Sequence, residues 1–144
     1  MYKLLTDPVD VAMLGSWEKH LWHYDKVIGY SFTGTLFLYS TETDEYLVFY
    51  PSKDGSNCKG YGVFESVSEF EGTVLKDENF IQYALFPIDE QFIETLVEKL
   101  GVLGAEEIYF PVLEPALGGI LELDNFDKGN VWIRTEILGL NRGL

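Results

Sequence analysis

The chain has 144 residues and a formal net charge of −14, from ten basic and 24 acidic residues. Hydrophobic residues make up 47% of it and aromatic residues 15%, which excludes a disordered acidic polymer and predicts a packed globule. So few lysines and arginines exclude phosphate-directed binding, and nucleic acid is not an expected partner.

The length suits one domain, and residues 1–144 are read as a single α+β unit. Cys58 is the only cysteine, so no intrachain disulfide can form, and a reducing compartment fits. Residues 1–6 lack the apolar stretch of a secretion signal, and no run of 18 apolar residues exists. A cytoplasmic protein without a membrane span is expected.

In chain order, Asp7 and Pro8 read as the cap and first turn of a helix covering about residues 8–22. Val11, Met13, Leu14, Trp17 and Leu21 fall near helical spacing, and Gly15 interrupts the pattern. His20 and His23 stand three apart, as two ligands on one helix face would, but two are too few for a metal site. No metal or other cofactor is expected.

From Val27 the period changes. Val27–Phe32, Thr35–Ser40 and Tyr46–Tyr50 read as three strands of an antiparallel meander over about residues 27–50. Thr41–Glu45 is the connecting loop, and Pro51 stops the third strand. Ser52–Gly60 reads as a polar loop, with Cys58 an inert thiol in it, and Tyr61–Phe64 as a short further strand. Ser66 and Glu69 form a capping-box pair for a helix over about residues 66–74. Asn79–Phe86 fits either period.

Residues 87–100 give the clearest helix, with Asp89 and Glu90 in its first turn and Gly101 after its end. Phe92, Ile93, Leu96, Val97 and Leu100 form its apolar stripe. Glu90, Glu94 and Glu98 recur at one-turn spacing on the other side. Residues 106–110 read as a strand that ends at Pro111, and Pro115 keeps the following crossing extended. Gly118 and Gly119 supply a structural turn. Asp124–Asn130 reads as a polar link, and the alternation of Val131, Ile133, Thr135 and Ile137 predicts a last strand over about residues 131–138.

Acid is concentrated in the second half. Fifteen carboxylates lie between Glu65 and Asp127, opposed there only by Lys76 and Lys99. Crowded like charges cost stability, so this excess points to a basic partner. Glu90, Glu94 and Glu98, with Glu114, Glu122, Asp124 and Asp127 around the glycine turn, are the candidate contacts. Trp17, Trp22 and Trp132 are candidate aromatic anchors or core residues. No Gly-x-Ser-x-Gly elbow is present, and neither histidine lies near a serine or cysteine that it could activate. No catalytic residue is assigned and no enzyme is expected, a hydrolase of unknown class being the less favoured alternative.

The order of Val27-Ile28-Gly29-Tyr30, Gly34 with Leu36-Phe37-Leu38, Tyr61-Gly62-Val63-Phe64, Lys99-Leu100-Gly101, Glu106-Glu107-Ile108-Tyr109-Phe110, Ala116-Leu117-Gly118-Gly119 and Val131-Trp132 resembles a known family. This family is the C-terminal domain of type VI secretion DNase-immunity proteins, which often follows a GAD-like domain. The resemblance covers about Trp17 to Leu140. It implies a bacterial, non-enzymatic immunity protein, the antitoxin partner of a basic nuclease toxin whose DNA-binding groove it occludes. A more distant likeness is to the SMI1/KNR4 superfamily, which implies a regulatory or scaffold protein of the cell-wall-regulator type.

Overall fold

The computed structural model of the protein describes residues 2–53, 56–84, 89–113, 118–119 and 122–144. Its architecture is α+β. Strands β1 (Tyr2–Asp10), β2 (Lys26–Ser31), β3 (Leu36–Tyr39), β4 (Glu45–Phe49) and β5 (Cys58–Val63) form an antiparallel sheet in chain order. The meander is therefore present, extended by one strand on each side.

Alternation fixes which side chains meet. Leu36, Leu38, Leu47 and Phe49 point to one face, and Phe37, Tyr46, Val48 and Tyr50 to the other. An irregularity between Val27 and Gly29 in the β2–β3 register resets the alternation, so Val27 and Tyr30 both join the first face. Both faces are covered, which is why β2, β3 and β4 read as nearly unbroken apolar runs.

The first face is covered by the segment Val11–His20, with Val11, Leu14 and Trp17 buried at three-residue spacing. That spacing is the repeat of the 3₁₀-helix the segment adopts, not of the α-helix expected over residues 8–22. Asp7 and Pro8 lie in β1, and the cap is Asp10, whose Oδ1 accepts the Ala12 N–H at 2.9 Å. Gly15, at φ 61° and ψ −123°, breaks the helix at a conformation open only to glycine.

The second face is covered by a helical arm made of α1 (Val67–Phe70), a π-turn (Glu71–Leu75) and α2 (Glu78–Ala84). The Ser66 Oγ accepts the Glu69 N–H at 3.1 Å, while the Glu69 carboxylate takes the Glu65 N–H at 2.7 Å. Phe70, Val74, Leu75 and Phe80 fill this second core.

A separate ribbon pairs β6 (Glu107–Pro111) with β7 (Phe126–Asn130). The Tyr109 N–H donates to the Phe32 carbonyl at 2.8 Å and ties the ribbon to the end of β2. Helix α3 (Glu90–Leu100) packs on one side of the ribbon, burying Ile93 and Leu96 against Tyr109 and Phe126. It starts later than residue 87, with Asp89 as its cap rather than in its first turn.

Two expectations fail in the last thirty residues. The polar link contains β7, whose pairing needs only its backbone. Residues 131–138 are not a strand but part of helix α4 (Val131–Asn141). The Asn130 Oδ1 accepts the Trp132 and Ile133 N–H groups and starts the helix. Val131, Trp132, Thr135, Leu138 and Gly139 are its buried positions, at helical spacing, and Ile133 is 62% exposed. Burial against the Val11–His20 segment overrides the strand preference of the β-branched residues.

Candidate functional site

Helix α3 presents the most regular charged surface. Its inner stripe is held on the ribbon, so the opposite side must face water, and Glu90, Glu94 and Glu98 are all exposed there on successive turns. None of the three has an ion-pair partner among the described residues. The helix is fixed at both ends. The Asp89 Oδ1 accepts the Phe92 N–H at 2.8 Å, and the Tyr109 hydroxyl donates to the Gly101 carbonyl at 2.6 Å.

Lys99 joins the helix to the next acids. Its Nζ donates to the Leu123 carbonyl at 2.9 Å and to Asp124 Oδ1 at 3.2 Å. Asp124 thus stands at the C-terminal end of α3, its side chain 99% exposed. Glu122 is exposed two residues before it. Asp127 does not join them. It lies opposite Phe110 in the ribbon, while Tyr109 and Phe126 face α3, so its side chain is on the far side. Glu114 lies outside the described residues, as do Pro115, Ala116 and Leu117. Gly118 has φ 94° in a turn, and Gly119 follows it.

Much of the remaining acid has a local structural task. Asp77 Oδ1 caps α2 through the Asn79 and Phe80 N–H groups. Glu71 accepts the Tyr2 hydroxyl proton at 2.6 Å, and burial together with this bond raises the Tyr2 pKa to about 12. Glu107 accepts the Gly104 N–H at 2.6 Å and lies 3.8 Å from Lys128 Nζ. Among the described residues Glu90, Glu94 and Glu98 have no such task, and neither have Glu65, Glu78, Glu106 and Glu122; what sets the α3 row apart is its regular one-turn spacing on a helix fixed at both ends.

The two histidines are not brought together on a shared ligand. His20 meets Trp17 edge-on, whereas His23 Nε2 lies 3.3 Å from Glu45 Oε1. Among the described residues no group of three or more potential metal ligands is gathered. Trp17 and Trp132 belong to the core, Trp17 donating from Nε1 to the Thr135 carbonyl at 2.9 Å. Trp22 alone of the three is a surface residue, 75% exposed. Ile133, Ile137 and Leu140 add an exposed apolar line on α4.

Sequence reasoning missed a cleft of about 750 Å³ between β5 and the helical arm. Tyr50, Tyr61, Phe64 and Phe80 supply its aromatic walls, and Lys53 and Lys59 its positive charge. Lys59 and Tyr61 stand two apart on β5 and so share a face, which is the signal that could have revealed it. Cys58 opens β5 instead of lying in a loop, and it is exposed at the cleft. No helix among the described residues is long and apolar enough to cross a membrane.

No family model and no curated protein matches the chain. Among solved structures, it is similar to the crystal structure of Atu4351 from Agrobacterium tumefaciens, with a TM-score of 0.64 at 18% identity. The match covers 96% of this chain but 66% of that one, so the chain spans just under two thirds of its neighbour's length. At this identity the likeness concerns the fold.

Proposed function

We propose that the protein is a non-enzymatic immunity protein that neutralises a basic nuclease toxin by covering its DNA-binding groove with the acidic face of α3. The observation that carries the reading is the row Glu90, Glu94 and Glu98, exposed and without counter-charges among the described residues. A nuclease groove must be basic to hold phosphates, and a fixed row of carboxylates is complementary to it. The apolar stripe on the ribbon orients the row, so little ordering is needed on binding. The family resemblance of the sequence supports the same reading.

The test is to express the open reading frame adjoining this one, with and without the protein, in a host whose DNA integrity is followed. DNA degradation that is suppressed by the wild-type protein, and not by Glu90→Lys/Glu94→Lys/Glu98→Lys, is the expected result. Neighbours without nuclease activity, or protection indifferent to the charge reversal, would overturn the reading.

A further inference from the structure

The cleft between β5 and the helical arm has a charge opposite to that of the molecule. The chain carries −14, yet among the described residues Lys53 and Lys59 line this space against one carboxylate, Asp77. With 24 acidic side chains available, neither lysine has an ion-pair or hydrogen-bond partner for its Nζ among the described residues. Each ammonium instead rests on a tyrosine: Lys53 Nζ lies 4.3 Å from the Tyr50 ring centroid, and Lys59 Nζ 5.1 Å from that of Tyr61. Such contacts hold a cation in place without neutralising it. The rings are themselves fixed. Tyr61 meets Phe80 at 6.1 Å and Phe70 at 6.4 Å, both edge-on, and Tyr50 and Phe80 are buried. The volume, about 750 Å³, is in the range of small-molecule sites.

We propose that this cleft binds a small planar monoanion, an aromatic carboxylate in chemical class, with its ring against Tyr61 and Phe80 and its carboxylate met by Lys53 and Lys59. The charge decides the class. Among the described residues, two lysines against Asp77 leave one unit of positive charge, which matches a carboxylate better than a doubly charged phosphate. The aromatic walls favour a flat body over an aliphatic or sugar-like one. The site is on the opposite face of the sheet from the Val11–His20 segment and uses none of the α3 acids, so it is independent of the immunity reading.

The probe is 2-naphthoate, titrated into the full chain and followed by backbone amide NMR. Saturable shifts at Cys58, Lys59, Tyr61 and Phe80 are expected, with a Kd of about 1 mM or tighter for a ligand of this size. Lys53→Met/Lys59→Met should weaken binding about tenfold or more, and Lys19→Met on the Val11–His20 segment should not. Both cleft lysines are exposed or at the surface, and the amide spectrum of the double variant reports its fold directly. A second readout uses the single cysteine: bound naphthoate should slow alkylation of Cys58 by iodoacetamide in the wild type and not in the double variant. The proposal is overturned by no saturable shift up to about ten times that Kd, by equal affinity for neutral 2-naphthol or for inorganic phosphate, or by unchanged binding in the double variant.

Discussion

The carboxylate of Glu136 lies over Gly15, and its Oε2 accepts the Ser16 N–H at 3.0 Å. This contact spans 120 residues and locks helix α4 onto the Val11–His20 segment. It works only because Gly15 has no side chain: a Cβ there would overlap the carboxylate, and φ 61° with ψ −123° strains any other residue. Trp17 Nε1 reinforces the same junction through the Thr135 carbonyl.

Gly15→Ala is therefore expected to destabilise the protein by roughly 2–4 kcal/mol, from backbone strain and the displaced hydrogen bond. Urea unfolding measures it. Adding Glu136→Ala to Gly15→Ala removes the overlap but not the strain, so the double variant should lose less than the sum of the single ones. Strict additivity would contradict the described contact.

Asp89 caps the helix that carries the acidic row. Its replacement by alanine leaves the Phe92 N–H without its acceptor at 2.8 Å and should cost about 1 kcal/mol, in the range of 0.5–2 kcal/mol for N-caps. Amide exchange should quicken in the first turn of α3 while β2–β4 stay protected. Uniform loss of protection would mean that α3 does not open separately.

Tyrosine ionisation contributes to the pH dependence on the alkaline side. Burial, and then the nearby Tyr61, raises Tyr50 from 10.0 to about 12. The folded state thus keeps a proton that the unfolded chain releases first. The contribution is fully present below pH 10 and is lost as pH rises towards 12, worth roughly 2–3 kcal/mol across that window. Unfolding free energies between pH 9 and 12 should fall less steeply for Tyr50→Phe than for the wild type. Equal slopes would contradict the raised pKa.

The meander was legible because its strands are aromatic and β-branched runs broken by the polar turn at Thr41–Asp44. The stripe of Phe92, Ile93, Leu96 and Val97 made α3 equally plain. Helix α4 was not legible, since Val131, Ile133, Thr135 and Ile137 imitate a strand and the deciding residues are the cap Asn130 and the distant segment it packs on. Strand β7 was hidden because Asp127–Asn130 pair through backbone alone. The α3 row could be read from helical spacing, whereas the far-side position of Asp127 depends on its register with Phe110. The Lys53–Lys59 cleft depends on the arm returning over β5, and the two-residue spacing of Lys59 and Tyr61 is the one local trace of it.

In the proposed function the carboxylates of α3 guide a basic partner to the protein. The most direct test is the association rate of the protein with the basic nuclease proposed as its partner, measured by stopped flow at about 50 and 300 mM salt against Glu90→Lys/Glu94→Lys/Glu98→Lys. The predicted result is a wild-type on-rate at least about tenfold faster at low salt, falling steeply with salt, while the variant is slower and nearly salt-independent. On-rates that coincide at both salt concentrations would contradict it.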